Sequence, residues 1–308
     1  MAGDGGLRPY RTAQPQKQER GLKFPEDIID PVSDLEASAE LVMTGGPGAQ
    51  VAWHCFGAGR AVVLLHGDFG GWTHFAYNIG PLAKQFRVLV PDMPGYGRSD
   101  TPPEPHAPEH LATLLLTGLD ELLGPDTSLD IVGFSYGGII AGHMAARLGR
   151  RVDCLVLSGP GGFGMRTTPP DGTELFAMRP GMSGPEIDAV HRHNLAKLMI
   201  ADAHKVDDLA VRIQRDNIER ARVRCGKYPD TTTLLEVLPQ VTARLCAIWG
   251  GADIFNPPEQ RARQEAALRR FDPGLDFRVV PGAGHWLFYE APEIADAWLV
   301  EMLEGAGH

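Results

Sequence analysis

From about residue 39 the chain alternates short apolar runs with longer stretches in which apolar positions recur at helical spacing. Leu41-Val42-Met43 and Val51-Ala52-Trp53-His54-Cys55-Phe56 predict a hairpin closed through Gly45-Gly46-Pro47-Gly48. Ala61-Val62-Val63-Leu64-Leu65 and Val88-Leu89-Val90 are unbroken apolar runs, the pattern of strands covered on both faces. Residues 74–86 between them have helical spacing, and Leu111 to Leu123 forms an amphipathic helix stopped at Gly124-Pro125. Strands at 129–133 and 152–157 then flank a helix beginning near Ile139 and ending at Gly149. Strands alternating with helices, with connections long enough to cross over, predict an α/β fold with a mostly parallel sheet and helices on both faces.

Residues 163–240 break the rhythm: they hold helical stretches at 185–200, 206–224 and 231–238 but no convincing strand. The expected organisation is a loose tail over 1–27, an α/β core over 28–162 and 241–308, and a helical lid over 163–240. The core resumes with strand 245–249, helix 258–270, strand 277–280 and a last helix over 292–303.

Three loops that follow predicted strands carry the chemistry. Strand 129–133 runs into Gly133-Phe134-Ser135-Tyr136-Gly137, a G-x-S-x-G step in which a sharp strand-to-helix turn exposes the serine. Strand 245–249 runs into Gly250-Gly251-Ala252-Asp253, and strand 277–280 into Pro281-Gly282-Ala283-Gly284-His285. A serine nucleophile needs a base for its proton and an acid to orient that base. Ser135, Asp253 and His285 occupy strand carboxyl ends in the order this architecture uses. Most of the other ten histidines lack a preceding strand; His66 has one but comes before the serine and is expected to brace its loop. Backbone donors for an oxyanion are expected from Tyr136 and from the loop after strand 61–65, with Asp68 first and Phe69 next. Pocket walls are expected from Phe69, Trp72, Phe163, Trp286 and Leu287 plus aliphatic lid residues.

The formal charge of −10 argues against a sequence-independent nucleic-acid binder, which needs a basic stripe. Four cysteines, at 55, 154, 225 and 246, show neither metal spacing nor a disulfide pattern. No apolar stretch approaches membrane-spanning length, and the first residues lack the marks of a secretion signal, so a cytoplasmic location is expected. His191, His193 and His204 form the one histidine cluster, read as solvated or structural on a charged helix. No cofactor, metal, membrane or nucleic-acid partner is expected; the partner is a small molecule with an apolar acyl part, and a homodimer is left open.

His66-Gly67 with Gly70-Gly71, Asp92-Met93-Pro94-Gly95-Tyr96-Gly97-Arg98-Ser99, Gly133-Phe134-Ser135-Tyr136-Gly137-Gly138, Trp249-Gly250-Gly251-Ala252-Asp253 and Gly284-His285-Trp286 together resemble the α/β-hydrolase superfamily. That resemblance implies an eight-stranded, mostly parallel sheet with a helical lid, and assigns Asp92 and Ser99 to a structural turn. The lid stretch Leu195 to Asp202, Asp207-Asp208-Leu209 and Gln214, with Gly284-His285-Trp286, is similar to the meta-cleavage product hydrolases. Those enzymes cleave a C–C bond in vinylogous diketo acids and hold the substrate carboxylate with a lid arginine. The nearest position here is Ile213, between Arg212 and Gln214. The expected function is hydrolysis of a carboxylic ester or of such a C–C bond. An acyltransferase or perhydrolase on the same residues, or a binding module with little turnover, are the alternatives.

Overall fold

The computed structural model describes residues 30–167 and 169–305, and the fold is that of the unit Pro31–His308. The tail expected over 1–27 lies outside the described residues. Eight strands form one sheet: β1 (Glu40–Thr44), β2 (Val51–Phe56), β3 (Arg60–Leu65), β4 (Phe86–Pro91), β5 (Leu129–Phe134), β6 (Val152–Ser158), β7 (Arg244–Gly250) and β8 (Asp276–Val280). Their order is β1-β2-β4-β3-β5-β6-β7-β8, and every pairing is parallel except the two made by β2. The helices are α1 (Pro31–Ser38), α2 (Ile79–Ala83), α3 (Pro108–Leu123), α4 (Tyr136–Leu148), α5 (Gly184–Leu198), α6 (Asp208–Arg220), α7 (Thr233–Val237), α8 (Pro258–Arg269), α9 (Leu287–Glu290) and α10 (Pro292–Glu304). Among the described residues no helix is long and apolar enough to cross a membrane.

The unbroken apolar runs follow from burial on both faces. Along β3, Ala61, Val63 and Leu65 join one apolar cluster with Leu115, Ile139 and Met144. Val62 and Leu64 join the other, with Phe75, Ile79, Phe288 and Leu299. A strand with polar alternation would leave one of these layers without a floor. The helix expected over 74–86 is only α2 plus a short 3₁₀ turn at Trp72–Phe75, and α1 and α9 were not foreseen. The 3₁₀ turn, α2 and α9 have four or five residues, too few for a repeat, and α1 buries no residue, so it has no apolar stripe to read.

Between β6 and β7 the chain leaves the sheet and builds α5, α6 and α7. The first two pack on each other, whereas α7 packs on α4, with Leu234 and Leu238 in the same cluster as Ile139.

The sheet also buries a charge far from its carboxyl ends. Asp130 on β5 is fully buried, and burial raises its carboxyl from 3.8 to about 7 despite the Arg60 nitrogen 3.1 Å away. The Arg60 guanidinium is shared with the carbonyl of Leu303, and its attraction, with a backbone hydrogen bond from Cys154, only partly offsets the cost of burial. A carboxyl raised on folding binds its proton more tightly in the native state, so stability falls as pH rises from about 4 to 7. The effect is on the order of 4 kcal/mol at 1.36 kcal/mol per unit. Asp130→Asn should therefore gain stability relative to the parent chain as pH rises through that window. Urea midpoints of the two proteins against pH test this; a gap that stays constant refutes it.

Candidate active site

Ser135 sits where β5 meets α4, with φ 54° and ψ −120°, a conformation that costs a residue bearing Cβ about 1–3 kcal/mol. The surroundings enforce it: the Ser135 N–H donates to Ser158 O (2.8 Å), and the Gly138 N–H returns to Ser135 O (2.9 Å). The turn closes so tightly that a Cβ at Gly137 would lie 2.3 Å from the carbonyl oxygen of Leu65. One at Gly133 would lie 2.6 Å from the Cα of Gly138. Glycine spacing around the serine is thus a steric requirement of this crossing.

The loops after β7 and β8 deliver the other two side chains to the same point. His285 Nε2 lies 3.0 Å from Ser135 Oγ, and His285 Nδ1 lies 2.8 Å from Asp253 Oδ2. Asp253 also accepts from the Phe255 N–H (2.9 Å, Oδ1) and from Asn256 Nδ2 (2.8 Å, Oδ2). Burial alone would raise its carboxyl, but attraction to His285 and these hydrogen bonds outweigh that and hold it below the usual range. An ionised Asp253 must accept a proton from Nδ1, which leaves the lone pair of Nε2 facing the serine hydroxyl.

Glu290, on α9, steadies the histidine loop and carries no sequence motif. Its carboxylate accepts from the N–H groups of Gly284 (2.6 Å), Ala201 (3.0 Å) and Asp202 (2.7 Å). The Trp286 N–H donates to Met199 O (2.7 Å), so the loop is fastened to the end of α5 as well. The turn beside the site is structural, as expected: Asp92 accepts from Trp72 N and Arg98 N, and Ser99 Oγ donates to Asp92 O. His66 braces its loop, accepting from Met93 N on Nε2 (3.0 Å) and donating from Nδ1 to Gly67 O (2.8 Å).

The loop after β3 passes directly over the serine. Among the described residues the Gly67 N–H reaches His74 Nδ1 (3.4 Å) and the Phe69 N–H reaches Asp68 Oδ1 (3.0 Å), leaving the Asp68 N–H with no acceptor. Tyr136 opens α4, so its N–H belongs to the first turn, which has no intrahelical acceptor.

A cavity of about 400 Å³ opens onto Ser135 and His285. Its wall is mostly apolar: Val190, Leu195 and Leu198 of α5, Ile218 of α6, and Met178, Met199, Phe134 and Phe255. Of the five residues expected to form the pocket, Phe69 alone lines it. Trp72 stacks on His54 (ring centroids 4.6 Å apart), and Trp286 is fully buried with its indole N–H on His74 O (2.9 Å). Leu287 and Phe163 lie in the two core clusters. Large apolar side chains beside a strand end gain more from the closed core than from a solvent-filled cavity. The 190, 194, 195, 198 spacing on α5 and 214, 218 on α6 was the readable signal, one helix face each. Gln214 and His191 also line the cavity, whereas Ile213 is buried in the core. His193 is not beside its neighbour's site: it stacks on Phe176 and meets Glu174 O.

This sheet, its β5–α4 crossing and the cavity above it define an α/β-hydrolase. Residues 62–297 match the family model described as the alpha/beta hydrolase family, and the chain belongs to that family. A relative from Cupriavidus pinatubonensis, named 2-hydroxy-6-oxononadienedioate/2-hydroxy-6-oxononatrienedioate hydrolase, is 30% identical over 81% of this chain and 90% of its own length. A 2-hydroxy-6-oxo-6-phenylhexa-2,4-dienoate hydrolase from Burkholderia cepacia is 28% identical over 80% and 88%. Among solved structures, a thermophilic esterase from Thermogutta terrifontis superposes with TM-score 0.64 at 23% identity, over 88% of this chain and all of that one. The meta-cleavage product hydrolase of Pseudomonas fluorescens IP01 gives 0.65 at 22%, over 84% and 95%. The chain is thus an enzyme, a hydrolase of the esterase or C–C hydrolase type.

Proposed function

We propose that this hydrolase cleaves carboxylic esters of neutral, apolar acyl groups through a Ser135–His285–Asp253 relay. The observation that carries this reading is the unbroken hydrogen-bonded series, 3.0 Å from hydroxyl to imidazole and 2.8 Å from imidazole to carboxylate, at the floor of the cavity. Nε2 of His285 takes the Oγ proton as Ser135 attacks the ester carbonyl, and Asp253 stabilises the imidazolium that forms. The tetrahedral oxyanion is held by the N–H groups of Asp68 and Tyr136. Imidazolium then protonates the leaving alcohol, leaving an acyl group on Ser135. Water, deprotonated by the same histidine, then attacks the acyl carbon; the bond to Ser135 breaks, the imidazolium returns a proton to Oγ, and the acid is released.

The choice of a neutral acyl group rests on charge. Among the described residues no lysine or arginine lines the cavity, and Asp68 is the acidic residue among its lining. A substrate carboxylate entering this mostly apolar space would lose hydration with no lysine or arginine in the lining to offset the loss. A second reading is favoured by the relatives named as dienoate hydrolases: C–C cleavage of a vinylogous diketo acid, with the same residues first assisting ketonisation.

Side-by-side kcat/KM values for neutral p-nitrophenyl esters of increasing chain length and for 2-hydroxy-6-oxo-6-phenylhexa-2,4-dienoate decide between the two. Ester turnover well above dienoate turnover is expected. Efficient dienoate cleavage with silent esters reverses the choice. Failure of both, with no fluorophosphonate adduct on Ser135, removes the serine reading altogether.

A further inference from the structure

The side chain of Asp68 has a place that its backbone role does not explain. Its Oδ1 accepts from the Tyr96 hydroxyl (2.6 Å) and from the Phe69 N–H (3.0 Å), and its Oδ2 accepts from the Cys225 N–H (3.2 Å). The three donors come from three different parts of the fold. Tyr96 is a fully buried ring of the turn after β4, Phe69 is the next residue of the loop, and Cys225 ends the segment by which the chain returns from α6. Phe69 has φ 54°, an uncommon conformation for a residue with a side chain, and its N–H is oriented toward the Asp68 carboxylate. The Arg224 guanidinium lies 4.2 Å from the Phe69 ring centroid, so two consecutive residues of the return segment grip two consecutive residues of the loop.

The return segment is itself held. The Arg222 N–H donates to Gly95 O (2.8 Å), and its side chain donates to Thr101 Oγ1 (2.7 Å) and to the carbonyls of Gly97 and Ser99. Val223 is buried against Gly95, where a Cβ on the glycine would come within 2.1 Å of it. The Tyr96 phenol is pushed well above the ordinary tyrosine range, by burial first and then by the adjacent carboxylate, so it remains a donor. The Asp68 carboxylate therefore joins two held parts of the fold, Tyr96 and Cys225, to the peptide proposed above as an oxyanion donor.

We infer that the Asp68 side chain is a positioning residue for the oxyanion site, latching the loop after β3 to the turn at Tyr96 and to the return segment at Cys225. This rests on the acyl chemistry proposed above. A donor that must meet an oxyanion within a few tenths of an ångström loses most of its worth when its peptide can rock. Asparagine at this position keeps an oxygen for Tyr96 and Phe69 but turns an NH₂ toward the Cys225 N–H. Alanine loses all three bonds.

The test uses the full chain, a neutral p-nitrophenyl ester and titration of reactive serine, so that turnover is counted per working site. Asp68→Ala should lower kcat about 10- to 100-fold with KM within about twofold, a smaller loss than removing a donor outright. Asp68→Asn should recover a large part of it. A residue that serves stability alone would reduce the titratable fraction and leave turnover per titrated serine unchanged; that result overturns the inference. Should Asp68→Ala fail to fold, Tyr96→Phe removes the 2.6 Å bond while keeping the ring, and an undiminished kcat there overturns it equally. A wild-type protein that turns over no ester defeats the acyl reading first, whereas wild-type turnover with an indifferent Asp68→Ala defeats the latch only.

Discussion

Replacing Ser135 with alanine is expected to reduce kcat on a turned-over ester by about a million-fold, with little change in substrate affinity. In the proposed reaction the hydroxyl forms the bond to the substrate, and it lies 3.0 Å from the imidazole that would take its proton. Water in its place would attack without the orientation that the β5–α4 crossing imposes. Alanine keeps the same backbone conformation, so the cost of φ 54° is unchanged and thermal stability should hold near the parent value. Fluorophosphonate labelling should vanish in parallel. Residual activity above about one per cent would mean that another group supplies the nucleophile, and the relay at 135, 253 and 285 would then need another purpose.

The second large effect is expected at Asp253. Asparagine there should cost about ten-thousand-fold in kcat, although it differs by one atom. The reason lies in the donors already aimed at the carboxylate. Phe255 N–H occupies Oδ1, so an asparagine oxygen stays there, and the new NH₂ takes the place of Oδ2, which now faces both His285 Nδ1 and Asn256 Nδ2. An NH₂ opposite Nδ1 demands a lone pair on that nitrogen. The ring proton then moves to Nε2, and a donor instead of an acceptor meets the serine hydroxyl. The loss should shrink at high pH, where hydroxide can take over part of the base's work. Measurement of kcat from neutral pH upward checks this. A loss below tenfold at neutral pH would show that the imidazole tautomer is set by something other than this carboxylate.

The residues behind both expectations could be named before any coordinates, because each follows a strand, whereas the Phe255 and Asn256 donors that orient Asp253 emerged only from the structure. Ser135, Asp253 and His285 are each announced by an apolar run that ends in glycine, and a parallel sheet brings such endings to one edge. The Asp68 and Tyr136 amides are proposed as oxyanion donors on the same ground, since backbone donors depend on where a strand stops and a helix starts. The cavity wall was less legible. Trp72 and Trp286 flank the right loops, yet both turn inward, and the direction in which a side chain leaves a loop is settled by its neighbours' volumes. Glu290 was invisible: a carboxylate that binds Gly284, Ala201 and Asp202 through their backbone leaves no pattern of side chains to recognise.

By itself the sequence determined the parallel α/β core, the covered strands and the three chemical groups at their ends, because two-sided burial and tight turns leave periodic and glycine signatures. Only the tertiary structure decided which residues face the cavity, that Asp68's carboxylate is bound by Tyr96 and Cys225, and that Glu290 holds the histidine loop. Those facts depend on contacts between segments remote along the chain, whose meeting is a property of the packed whole.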